Sequence, residues 1–167
     1  MSEIKLHRNL PLLLLKARET VLAHFRPILK YGGVTEQQWR IIRALHEATE
    51  LEPRQICETA QILSPSLSGV LTRMEEMGLI KRKRIDTDQR RQLISLTPKS
   101  RALITKLAPL VEEQYRLFEE AMGPALVNDL YPVLDRLLVL NEDDVSHVAI
   151  PTDAMKKSEE LRAGTGR

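Results

Sequence analysis

Apolar residues recur at helical spacing along most of the chain. Leu14, Ala17, Val21, Phe25 and Ile28 trace one stripe behind Asn9, which can cap a helix with Pro11 in its first turn. Gly32-Gly33 stop that helix, and Pro27 is expected to kink its last turns. Thr35 and Gln38 have capping-box spacing, so a second helix follows with Trp39, Ile42 and Leu45 as apolar positions and Ile41 and Ala48 alongside. Pro53 opens a short helix to about Ala60, with Ile56, Ala60 and Leu63 inward, and Gln61-Ile62-Leu63 make a tight turn. Ser64 reads as the next cap and Pro65 as the first helical residue, where its missing N–H costs nothing. From Pro65 to Met77, the stripe Leu67, Val70, Leu71, Met74 opposes a face of Ser66, Gly69, Thr72, Arg73 and Glu76.

Gly78 ends this helix and the period changes. Leu79-Ile80 lead into an alternating basic segment, Asp86-Thr87-Asp88-Gln89 reads as a turn, and Leu93-Ile94-Ser95-Leu96 as a strand. Thr97-Pro98 opens a long helix carrying Leu103, Leu107, Leu110, Val111, Gln114, Phe118 and Ala121 on one side, with Pro109 expected to bend it. Gly123-Pro124 break it, and Leu126, Leu130, Val133, Leu137 and Leu140 define a last helix. After Asn141 the chain turns polar and irregular.

Composition agrees with helices: only 4% of the 167 residues are aromatic and 7 are glycine, while leucine recurs throughout. A chain of this length buries roughly 70% of its unfolded surface, enough for a core without staples. The single cysteine, Cys57, excludes an internal disulfide framework and is read as a small buried hydrophobe. The longest uncharged run, Thr59 to Thr72, has 14 residues. A membrane span needs about 17 to 25. Lys5 and Arg8 before Leu10–Leu15 mimic a signal peptide, but that run is closed by Lys16 and Arg18, so a cytoplasmic protein is expected. His7, His24, His46 and His147 show no ligand spacing on one helix, and no metal or cofactor is expected. No nucleophile elbow, glycine-rich phosphate loop or H-E-x-x-H occurs, so an enzyme is not expected.

Charge changes the picture more. The net charge is only +2, yet Lys81 to Arg101 holds eight cations against Asp86 and Asp88. A basic hairpin directly behind a helix with a small, polar outer face is the pattern of a winged helix-turn-helix, a mainly α fold with a small β-hairpin wing. Such a helix presses one face on its partners and shows the other to the bases of the major groove. Ser66, Ser68 and Gly69 let the backbone come close, with Thr72 on the same helix. Ser64 can present its hydroxyl and nearby N–H groups to a phosphate, and Arg73 can reach a base edge or phosphate. On the wing, Arg84 precedes the turn and Asp88 lies in it, and Arg90 can enter the minor groove, whose negative potential attracts guanidinium.

The chain resembles MarR-family transcriptional regulators. Asp88-x-Arg90 followed after five residues by Leu96-Thr97 matches the family's wing, behind Leu67-Ser68-Gly69-Val70-Leu71-Thr72-Arg73-Met74-Glu75 and Gly78-Leu79-Ile80. The likeness covers roughly residues 8 to 140. Ala17-Arg18-Glu19, Phe25-Arg26-Pro27, Thr35-Glu36-Gln37-Gln38-Trp39-Arg40 and Pro65-Ser66-Leu67 resemble repressors of aromatic-acid catabolism, of the homoprotocatechuate and hydroxycinnamate type. The resemblance implies a helical dimerisation region from residues 1–34 and 97–141, a DNA-binding domain at 35–96, and a polar tail at 142–167 outside the likeness. Leucine-rich terminal helices support a homodimer independently, because alone they would leave a broad apolar surface exposed. Two reading helices about one DNA turn apart then call for a pseudo-palindromic duplex operator.

Arg18 lies along the apolar stripe of the first helix, where a cation needs a partner. That partner is either a protein carboxylate or the carboxylate of a small aromatic acid inducer, which a guanidinium holds bidentately. Trp39 offers a flat apolar wall for the acid's ring, with Arg40 and His24 as further ligand candidates. The alternatives are a ligand-independent architectural DNA binder and a redox-sensing regulator; position 57 does not match the family's sensing cysteine.

Overall fold

The computed structural model describes residues 7–85 and 88–149. Among these, the order is α1 (Leu10–Tyr31), α2 (Glu36–Ala48), β1 (Glu50–Leu51), α3 (Pro53–Ala60), α4 (Ser64–Glu76), β2 (Ile80–Ile85), β3 (Asp88–Leu96), α5 (Pro98–Met122) and α6 (Pro124–Leu138), then a 3-10 turn at Glu142–Asp144. The chain divides into two compact units between Phe118 and Glu119.

Local signals in the sequence set most boundaries. The Asn9 side chain accepts from the Leu12 N–H at 3.0 Å and caps α1. The Thr35 hydroxyl accepts from Gln38 N–H while the Gln38 amide oxygen accepts from Thr35 N–H, closing the expected capping box of α2. Pro27 and Pro109 both lie inside continuous helices.

The sheet is antiparallel in the order β1-β3-β2, with Glu50 and Leu51 opposite Ser95 and Ile94. The edge strand β1 was not expected, because two residues carry no alternation to read. It forms where Thr49, at φ 71, turns the chain out of α2. The wing strands run closer to the tip than the sequence suggests, pairing from Ile80 with Leu96 to Ile85 with Asp88. The tip residues Asp86 and Thr87 fall outside the described residues, as do 150–167 of the tail.

The core of the first unit is made where these elements meet. Ile41, Ile42 and Leu45 of α2, Ile56 of α3, Met74 of α4, Ile94 of β3 and Leu107 of α5 are fully buried or nearly so. The α4 stripe Leu67, Val70, Leu71, Met74 is buried as expected. Leu63 is not: it is 79% exposed and Ile62 is buried in its place. Gln61 adopts the left-handed conformation at φ 50, which swings Ile62 inward and leaves Leu63 outside at the head of α4. Ser64 is likewise not the cap of α4 but its first residue, and Leu63 in the cap position makes no side-chain capping bond. On α2, Ala44 rather than Ala48 faces the core. On α1, Phe25 and Leu29 are buried, whereas Leu14 and Ala17 are exposed in the single chain. Helix α6 has no buried residue, and Leu126, Val133 and Leu137 stand exposed.

Candidate nucleic-acid interface

Burying its apolar stripe leaves α4 one outward face. Ser64, Ser66, Ser68, Thr72 and Arg73 are all exposed on it. Ser64, Ser68 and Thr72 succeed one another at four-residue steps and form one row. No side chain caps the head of the helix, and its positive dipole end stands in solvent, the arrangement that receives a phosphate.

Behind this face lies the wing, with Lys81, Lys83 and Arg84 exposed on β2. Asp88 and Arg90 have their backbone in β3; their side chains lie outside the described residues. Two ion pairs that the sequence did not single out tie the wing to the helices. Arg82 of β2 donates to the Thr72 hydroxyl at 3.2 Å and sits 2.9 Å from a Glu75 carboxylate oxygen, holding α4 against the wing. Arg91 of β3 donates to the Glu52 carboxylate at the head of α3. That hydrogen bond, helped by the Arg91 charge, holds the Glu52 carboxyl below the usual carboxylate range. Residue separations of 10 and 39 explain why no local pattern announced these contacts. A shallow cavity of about 600 Å³ opens between α3, α4 and the wing; Cys57, Ser64, Ser68, Arg82 and Arg91 are among the residues lining it.

The residues expected to meet a ligand do not form one cluster. Arg18 is half-exposed and is paired with Glu19, at 2.8 Å, and with Glu36 at the head of α2. Glu19 is also held by Arg26, whose hydrogen bond is the main reason its pKa is lowered. Arg40 turns towards α3: one guanidinium nitrogen donates to the Ala60 and Gln61 carbonyls at 2.8 and 3.0 Å. Burial lowers the Arg40 pKa, with the Arg18 charge adding to it. His24 meets the Phe118 ring in a tilted contact, with centroids 5.4 Å apart and the planes at 56°. Trp39 is half-buried against the core. Arg18 and Arg40 are thus joined through Glu36, while His24 and Trp39 have other neighbours.

A mostly helical chain with a polar-faced second helix and a basic wing is a winged-helix DNA-binding regulator by fold and site. The MarR family profile matches residues 32–91. The homoprotocatechuate degradative operon repressor of Escherichia coli is 40% identical over 135 residues, covering 81% of this chain and 91% of that repressor. This chain belongs to the MarR family of transcriptional regulators. Among solved structures, NadR in complex with 4-hydroxyphenylacetate superposes with a TM-score of 0.70 at 37% identity, covering 84% of this chain and all of NadR. The repressor CouR bound to a 23-mer DNA duplex superposes with a TM-score of 0.71 at 25% identity, covering 82% of this chain and 99% of CouR. Among the described residues, no helix is long and apolar enough to cross a membrane.

Proposed function

We propose that this chain is a homodimeric repressor of aromatic-acid catabolic genes, working on DNA in the bacterial cytoplasm. It binds a pseudo-palindromic operator through α4 and the wing and is released by a small aromatic carboxylate. The observation that carries the DNA reading is the outward row Ser64, Ser68, Thr72 on a helix with an uncapped head, backed by exposed Lys81, Lys83 and Arg84. Ser64 and Ser66 meet phosphate at the helix head, Ser68, Thr72 and Arg73 face the groove, and Arg84, Asp88 and Arg90 work from the wing. Residues 35–96 are the reading domain, and residues 1–34 and 97–141 build the dimer. The exposed leucines of α1 and α6, among them Leu10, Leu12, Leu15 and Leu126, are apolar surface that a second copy would cover.

The inducer reading draws on the 40% likeness to a homoprotocatechuate operon repressor and on NadR's 4-hydroxyphenylacetate. Arg18 is the clamp for the carboxylate, in competition with Glu19 and Glu36, and Trp39 walls in the ring, with His24 and Arg40 as secondary contacts. Release is a population shift. The acid lowers DNA affinity only by its preference for the dimer geometry that does not fit DNA, typically about 5- to 150-fold.

The test uses a duplex selected by the protein from a random-sequence pool and followed by fluorescence anisotropy. Added 4-hydroxyphenylacetate should release the duplex, and its amide should not. Arg73→Ala should weaken binding and flatten the salt dependence by about one unit of slope for each phosphate that Arg73 neutralises in the wild type. Wild-type affinity in Arg73→Ala, with an unchanged slope, would remove α4 from the interface. Acid and amide acting alike would remove the carboxylate clamp.

A further inference from the structure

The ion pairs of α1 and α2 form a continuous line that ends next to the reading helix. Glu36 stands at the head of α2 and is engaged by Arg18 of α1. The same Glu36 oxygen is 3.8 Å from Arg40 Nε, one helical turn further on. Arg40 is the residue that holds the end of α3. Its guanidinium donates to the Ala60 and Gln61 carbonyls. Those carbonyls belong to the left-handed turn, Gln61 at φ 50, from which α4 departs. Arg40 Nε itself is buried and makes no hydrogen bond. A buried donor without a partner is costly, so the nearest carboxylate is drawn to it. That carboxylate is Glu36, which Arg18 holds just out of hydrogen-bond reach.

We propose that Glu36 is a shared carboxylate, and Arg40 a positioning residue, that together relay the state of Arg18 to the α3–α4 turn. When another anion takes Arg18, Glu36 is freed to close on Arg40 Nε. Arg40 then carries partners on both sides of its guanidinium and grips the end of α3 more firmly. The turn that aims α4 is stiffened in the geometry of the ligand-bound protein. The relay supplies the regulation of the proposed inducer site and rests on that reading for its ligand. The ion-pair geometry itself needs no ligand to be tested.

Arg18→Gln releases Glu36 without any acid present. Both Arg18 and Glu36 are partly exposed, so the Gln variants leave the core intact. The readout is amide hydrogen exchange at Gln61 and Ile62, whose N–H groups donate to the Cys57 carbonyl and report the end of α3. Arg18→Gln should slow their exchange about threefold or more. The change should vanish when Arg18→Gln is made in a Glu36→Gln background. An equal change in both backgrounds, or none in either, would overturn the relay, since a purely local structural role for Arg18 does not depend on Glu36. A parallel titration of wild type with 4-hydroxyphenylacetate should slow the same amides. If calorimetry shows no binding of that acid or of related aromatic acids, the inducer reading fails, while the exchange result still decides the relay. If the acid binds and releases DNA equally well from Glu36→Gln, the relay is wrong and the inducer reading stands.

Discussion

A methyl group on Gly32 would fall 2.6 Å from a terminal carbon of Leu107, a side chain with no solvent exposure. Two effects of Gly32→Ala oppose each other. The backbone there is right-handed helical, φ −76 and ψ −10, so alanine gains about 0.4–1 kcal/mol from a less flexible unfolded chain. Overpacking a buried site costs about 1–3 kcal/mol, and Leu107 has nowhere to retreat. Urea denaturation should therefore show a net loss of up to about 2.5 kcal/mol. Met74→Ala reads the same core from the other side. Met74 is fully buried on the inner face of α4, and its loss should lower stability by about 2–5 kcal/mol. Helix α4 is seated by that stripe, so DNA affinity should fall with it.

Single contacts decide how the elements begin and how they are held together. Thr35→Ala opens one half of the α2 capping box and should cost about 0.5–2 kcal/mol in thermal or urea unfolding. The Glu52–Arg91 pair joins the head of α3 to the wing, and it makes the wing's attachment pH-dependent. The Glu52 pKa is lowered in the folded chain by the Arg91 hydrogen bond. In the unfolded chain it returns to about 4.3. The stabilisation is therefore complete above the unfolded value and is lost as pH falls through the lower folded one. Between pH 6 and pH 8 the Glu52→Gln variant should differ from wild type by a constant amount. As pH falls below the unfolded value and through the lower folded one, the two unfolding curves should converge. A difference that persists in acid would mean the pair does not carry the effect.

For the whole molecule, assembly and salt response follow from the surface. The apolar residues on α1 and α6 are too many for a monomer in water: Leu12 is 43% exposed, Leu137 37% and Val133 57%. Sedimentation should show a dimer. Leu137→Glu should shift it towards monomer, because a lone carboxylate is costly to bury among leucines. A wild-type protein that sediments as a monomer at micromolar concentration would remove the dimer. The dimer's log DNA affinity should fall linearly with log salt, as release of counterions from several neutralised phosphates requires.

The secondary structure could be read in advance because its causes are local. Asn9, the Thr35–Gln38 box, Pro53, and the glycines at 32, 78 and 123 act on residues within one helical turn of themselves. The stripe of Leu67, Val70, Leu71 and Met74 announces both a buried face and an outward one, and the basic run after Gly78 announces the wing. The order of these elements was enough to point to a DNA-binding regulator. Pairing decisions were different. That Arg18 would meet Glu36, Arg40 the end of α3, Arg82 the Thr72 hydroxyl and Arg91 the Glu52 carboxylate depends on how the elements pack. A cation's charge is written in the sequence, but its long side chain takes whichever carboxylate the fold brings within reach. The same holds for Leu63 and Ile62: one left-handed residue, Gln61, exchanged their environments. A turn dihedral is fixed by the two helices it must join, and no property of Gln61 alone required it.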